Sequence, residues 1–270
     1  MSNLASRIAF AVPLAAAAIF AAWQGGWWFA LLAAVAAVIA LHEFYAMARD
    51  TRPLTLAGLP AVVLLVVAVH AGGVAWAAVP LAGATLVAFW LSAVADVRQS
   101  ALVQISTTLF GLVWVGLGAA ALVLLRDVAP DEWGRDLLVA TLLGVWVSDI
   151  AAYFGGRMLG RRKLAPAISP KKTVEGFVIG LVAGTGAVFI WLYDHPPHDP
   201  IAPLEALQLA LAVALAAPAG DLFESYLKRD VGVKDSGRVL GGHGGVLDRV
   251  DALLFAGIAA FAVALALDRV

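Results

Sequence analysis

Two stretches of this chain gather residues that could do chemistry. Residues 155–176 read GGRMLGRRKLAPAISPKKTVEG, and residues 225–251 read SYLKRDVGVKDSGRVLGGHGGVLDRVD. Around them stand aspartates at 149, 221, 248 and 251. Carboxylates that approach one another where water is scarce repel, and the remedies are protonation or a bound cation. The chain has no Cys and no paired-His motif, so hard oxygen ligands point to Mg²⁺ rather than zinc. Arginine as a bidentate fork and lysine as a point charge suit a polyphosphate beside such a centre. Glycines at 241, 242, 244 and 245 would let backbone N–H groups approach phosphate oxygens, a property that many loops without such a role share. The pattern suggests metal-assisted chemistry on a phosphate.

The elements that must position these residues follow from composition. Of 270 residues, 62% are hydrophobic and 14% charged, with a mean hydropathy of +0.91, whereas a soluble domain carries roughly 25% charge. The expected fold is therefore all-α, a polytopic transmembrane helical bundle forming one integral membrane domain over 1–270. Within it, about 136–270 would be the catalytic half and 1–125 the N-terminal helices. Apolar runs able to cross ~30 Å of hydrocarbon lie at about 7–22, 27–48, 54–70, 74–95, 102–125, 136–156, 174–193, 203–226 and 250–267. That predicts nine spans. Pro60 lies inside the third, and only His70, Gly72 and Gly73 break the stretch 54–95, so a re-entrant hairpin is an alternative to two crossings there. The first run could instead be a cleaved signal peptide, but it continues into Trp23, Trp27 and Trp28, an interfacial aromatic belt that favours a retained helix.

Nine spans divide the eighteen Lys and Arg fifteen to three, with only Arg126, Arg135 and Arg269 on the side away from the N-terminus. The positive-inside rule then puts the N-terminus in the cytoplasm. Topogenesis alone would explain the basic residues, but not acids at the membrane boundary, a His among glycines, or Ser-Pro-Lys-Lys-Thr before a helix. Asp149 falls ~20 Å and Asp221 ~27 Å into spans that enter from outside. Asp248 and Asp251 open the last span, and His42 and Glu43 end the second at similar depth. Carboxylates from several spans thus reach one layer facing the cytoplasm, and ionisable groups inside spans mark function by default.

Other features have plainer readings. His42 and Glu43 are expected to cap or hydrogen-bond within the bundle, with catalysis the alternative. Glu224 could ligate a metal or pair with a basic residue. His195 and His198 are expected in an outer loop, and Gly111, Gly116, Gly180 and Gly184 are expected to let helices pack closely.

The order Ser225, Lys228, Arg229, Lys234, Asp235, His243, Gly244, Gly245, Asp248, Arg249, Asp251 resembles the signature of phosphatidate cytidylyltransferases, the CDP-diacylglycerol synthases, of the form S-x-x-K-R, K-D, H-G-G-x-x-D-R-x-D. Asp149, Ala152, Tyr153 and Gly156 resemble that family's D-x-x-A-Y-x-x-G element, and SPKKTVEG at 169–176 its S-P-K-K-T-x-E-G element. The likeness covers the C-terminal half, and the first five spans share only hydropathy.

The resemblance implies that CTP and phosphatidate give CDP-diacylglycerol and pyrophosphate. It implies Asp221 and Asp248 as the Mg²⁺ ligands, with room for a second, monovalent cation. Lys228, Arg229 and His243 would join them as catalytic residues. Asp149, Ser169, Lys171, Lys172, Thr173, Lys234, Asp235, Gly244, Gly245 and Arg249 would contact nucleotide and phosphate. It further implies a homodimer in a bacterial inner membrane, with its site open to the cytoplasm and no nucleic-acid partner. Two alternatives stand beside it. An ion-coupled transporter would spread charge through the bilayer, and a CTP-dependent polyprenol or phytol kinase would release CDP instead of pyrophosphate.

Overall fold

A computed structural model describes residues 17–94, 99–194, 201–237 and 244–270. Among them, eight helices are long and apolar enough to cross a membrane. They are α1 (Gly26–Met47), α2 (Thr55–Gly72), α3 (Val74–Val94), α4 (Ala101–Arg126), α5 (Asp131–Leu159), α6 (Val174–Asp194), α7 (Pro203–Asp230) and α8 (Leu247–Ala266). The chain is a polytopic helical bundle. Most of the first expected span lies outside the described residues, of which 17–24 are helical. The stretch 54–95 forms two separate helices, α2 and α3, joined at Gly73, whose φ of 74° lies in the left-handed region that favours glycine.

Two features depart from the hydropathy reading. Helices α5 and α7 run 29 and 28 residues, well past their apolar segments, so Arg157, Lys228 and Arg229 belong to last helical turns and not to loops. Basic side chains there complement the negative end of the helix dipole. The basic stretch after α5 also holds a small antiparallel hairpin, β1 (Lys163–Ala165) and β2 (Ser169–Thr173), pairing Lys163 with Thr173 and Ala165 with Ser169. Too short to show a period-two pattern, it could not be read from hydrophobicity.

The described chain folds as two compact units, one from residues up to Leu124 with Asp235–Asp248, the other from Leu125–Lys234 with Arg249–Val270. In the first, Leu41, Val62, Leu65 and Val66 are fully buried. Phe44 packs against Phe110 and edge-on against Trp114, both with ring centroids 5.7 Å away. A Cβ on Gly111 would meet that Phe44 ring at 2.5 Å, so the glycine permits the approach. Tyr45 donates its hydroxyl to Thr108 O at 2.8 Å, which satisfies a polar group that burial would otherwise penalise.

The second unit is built on small residues. A Cβ at Gly180 would lie 2.7 Å from Ser148 O, and one at Gly184 3.0 Å from Gly144 O, so α5 and α6 meet nearly backbone to backbone. Lipid tails are as apolar as side chains, so such close packing carries helix association that hydrophobicity cannot. Around the contact lie Val145, Val188, Leu209, Val213 and Ala256, all buried.

Candidate active site

Helix α5 carries Asp149, Tyr153 and Arg157 at i, i+4 and i+8, with Ser148, Ala152 and Gly156 beside them. All six line a cavity of about 400 Å³, a size in the range of small-molecule sites. The hairpin and the start of α6 bring Lys171, Lys172, Thr173 and Gly176 to the same cavity, and α7 brings Pro218 and Asp221. The elements D-x-x-A-Y-x-x-G and S-P-K-K-T-x-E-G thus face one space. Two carboxylates, Asp149 and Asp221, share its wall with three cations, Arg157, Lys171 and Lys172.

Local structure explains the second element residue by residue. Thr173 Oγ1 accepts a hydrogen bond from Gly176 N at 3.1 Å, an N-terminal cap that starts α6 where β2 ends. Glu175 Oε2 accepts from the backbone N–H groups of Arg161 and Arg162 at 3.0 and 3.2 Å, tying the hairpin's entry to its exit. Gly176 lets α6 lie on α5, since a Cβ there would approach Ala152 O at 2.6 Å. The motif therefore builds a rigid platform that presents Lys171 and Lys172. Ser169 pairs in the hairpin and is not part of the cavity wall.

Lys172 Nζ lies 2.7 Å from Asp221 Oδ2, and Ser225, one turn on, donates its hydroxyl to Asp221 Oδ1 at 3.3 Å. Pro218, inside α7, lacks the N–H that would bond the preceding turn and puts its ring in the cavity wall. One turn beyond Asp221, Glu224 Oε2 and Lys228 Nζ form a 2.6 Å ion pair, with side chains 1% and 11% exposed. Asp251, buried on α8, neighbours Glu224, Lys228 and Asp221. Arg229 donates to the carbonyls of Ile168 at 3.4 Å and Val233 at 3.3 Å, so it straps the end of α7 to the hairpin turn. Arg249 is exposed in the first turn of α8.

Of the rest of the signature, Lys234 closes a segment of the second unit, and Asp235 and Asp248 belong to the first. Lys234 and Asp235 are exposed, and His243 lies outside the described residues. Asp248 accepts hydrogen bonds from Ser236 N at 3.0 Å and Gly245 N at 2.7 Å. Gly244 has a φ of 82°, and a Cβ on it would meet Asp248 Oδ2 at 2.6 Å, so the position demands glycine twice over. The N–H of Gly245 is thus directed at the Asp248 carboxylate, three residues on in the first turn of α8.

Several of these residues were not singled out as site residues from sequence. Tyr153 and Arg157 share the helical stripe of Asp149, a spacing that could have pointed to them. Glu175 is a fixed letter of the S-P-K-K-T-x-E-G element, which could have pointed to it, whereas Ser148 and Pro218 had no such signal.

Among the described residues no group of three or more His, Asp or Glu side chains could hold a metal through protein ligands alone. Magnesium does not require one: it keeps several waters and takes one or two carboxylates plus phosphate oxygens. The carboxylates Asp149 and Asp221, all-oxygen donors on the wall of an open cavity, fit that chemistry.

A model of the cytidylyltransferase family matches residues 5–267 of this chain. A phosphatidate cytidylyltransferase of Brucella melitensis is 35% identical over 263 residues, covering 95% of this chain and 91% of its own. Another, from Synechocystis, is 34% identical over 261 residues, 86% of each chain, and one from Bacillus subtilis 43% identical over 125 residues, 46% of each. Likeness along nearly the whole length, together with family elements that converge on one cavity, makes this chain a member of the cytidylyltransferase family.

Proposed function

We propose that the protein transfers a cytidylyl group from CTP to phosphatidate at the cytoplasmic face of a bacterial inner membrane, giving CDP-diacylglycerol and pyrophosphate. The observation that carries this reading is the cavity in which Asp149 and Asp221 stand among Arg157, Lys171 and Lys172. The names of the relatives, phosphatidate cytidylyltransferases over nearly the full chain, supply the substrate class.

In this reaction a phosphate oxygen of phosphatidate forms a bond to the α-phosphorus of CTP, while the bond from that phosphorus to the β-phosphate bridging oxygen breaks. Both substrates are anions, and their repulsion in a partly desolvated cleft amounts to several kcal/mol at an effective dielectric of ~20. Lys171, Lys172 and Arg157 are the groups available to offset it on the cavity wall. Arg157 also donates to the Tyr153 hydroxyl at 3.2 Å, which restrains its guanidinium. The Lys172 ammonium is held by Asp221 before substrate arrives, so little ordering remains at the transition state. Asp221, on the cavity wall, and Asp248, through its place in the family signature, are each proposed as Mg²⁺ ligands, and bound Mg²⁺ would neutralise charge developing on the pyrophosphate oxygens. The buried Glu224–Lys228 pair backs the turn of α7 that carries Asp221. A homodimer is the expected assembly, with a second, monovalent cation as a further expected ligand.

The test is product analysis with purified protein, phosphatidate, α-labelled CTP and Mg²⁺. Labelled CDP-diacylglycerol with an equal amount of pyrophosphate is expected, lost with EDTA and restored by Mg²⁺. Release of labelled CDP in a parallel reaction with a polyprenol or phytol in place of phosphatidate, and no product from phosphatidate, would identify a kinase instead.

A further inference from the structure

Glu43 is 3% exposed near the end of α1, in the unit that also holds Ser236–Asp248. Its Oε2 accepts the N–H of Leu247 at 2.8 Å and the hydroxyl of Ser236 at 3.4 Å, partners some two hundred residues away in sequence. Leu247 opens α8, and the first N–H groups of a helix have no partner within it. A carboxylate there satisfies one of them and meets the positive end of the helix dipole.

The same loop ends hold Asp248. Ser236 gives its backbone N–H to Asp248 and its hydroxyl to Glu43, so one residue bridges the two carboxylates. A Cβ on Gly237 would collide with Glu43 Oε1, and one on Gly245 with Glu43 Oε2. Both glycines therefore make room for this side chain. Glu43 thus touches Ser236, Gly237, Gly245 and Leu247, on both chain segments that flank the bonds to Asp248.

We propose that Glu43 is a positioning residue: it clamps Ser236–Gly237 to Gly245–Leu247 and so fixes the carboxylate of Asp248 for the transfer reaction. The inference rests on the reading of Asp248 as a metal ligand. It works through hydrogen-bond acceptance, so a glutamine can replace it, with its amide oxygen on Leu247 N. The glutamine NH₂ would take the Oε1 side, which accepts no hydrogen bond from the described residues.

The experiment compares wild type, Glu43→Gln, Glu43→Ala and Gly237→Ala as full-length purified protein, by hydrogen exchange and by steady-state kinetics at varied Mg²⁺. Glu43→Ala is expected to speed exchange of the amides at 236–237 and 245–248 by about tenfold or more while other helices keep their protection. Its kcat should fall by about tenfold, with KM for CTP within about threefold and a several-fold higher Mg²⁺ requirement. Glu43→Gln should keep both exchange and kcat within about threefold of wild type. Loosened amides with wild-type kcat and Mg²⁺ dependence would overturn the proposal, as would unchanged exchange in Glu43→Ala. Should Glu43→Ala not fold, Gly237→Ala reads the same contact: its new Cβ should displace Glu43 and loosen the same amides, and wild-type exchange there overturns the clamp. A wild type inactive on CTP and phosphatidate would sink the proposed reaction alone, since the exchange comparison still reads the clamp.

Discussion

Lys172 and Asp221 meet at 2.7 Å across the cavity wall, one from a two-stranded hairpin and the other from a transmembrane helix. Their side chains are 27% and 33% exposed, so the pair is open enough to be screened and contributes on the order of 0–1 kcal/mol to stability. In the proposed reaction its value would lie in holding an ammonium and a carboxylate at fixed places where the anionic substrates meet.

Lys172→Ala should therefore leave the unfolding midpoint in detergent within a few degrees of wild type and lower kcat/KM by about a hundredfold. Arg157→Ala, at a position legible only as the next step of the Asp149 stripe, should fall by about tenfold. Pyrophosphate release measured against thermal unfolding separates the two effects. Full activity in Lys172→Ala would mean that the lysine serves only membrane topology.

Glu224 and Lys228 make the opposite case. Their ion pair is buried with Asp251 beside it, so removing one partner unbalances buried charge and costs about 3–5 kcal/mol, whereas replacing both by uncharged residues of similar shape costs less. Glu224→Gln or Lys228→Met alone should lower the unfolding midpoint strongly, and the double variant should recover most of it. Additive losses in the double variant, read in the same unfolding assay, would show that the two do not depend on each other.

Orientation can be tested without background labelling because the chain has no cysteine. Single cysteines at 162, 172 and 238 should react with an impermeant thiol reagent from the cytoplasmic side, and one at 198 from the other. Reaction of 172 and 198 from the same side would refute the expected topology, which rests on the basic residues alone.

Composition alone determined that this chain is a bundle of membrane-crossing helices, because a bilayer accepts only segments that satisfy their own backbone and are apolar for about twenty residues. The family elements were legible as well, since chemistry on phosphate needs lysines, aspartates and glycines at set spacings, and these stand out in a sequence only 14% charged. Hydropathy could not show that α5 and α7 continue past their apolar segments, because the last turns are held by helix hydrogen bonds and capping charges rather than by lipid. Nor could it show the hairpin, which is three and five residues long and owes its form to Thr173 and Glu175. Gly180 and Gly184 were readable as packing residues, but only the fold decides what they meet: Ser148 O and Gly144 O. Glu43 shows the limit most clearly. A lone carboxylate near a helix end reads equally as a cap or a catalyst, and its partners at 236 and 247 are set by the tertiary arrangement of α1 and the start of α8, which no local spacing encodes.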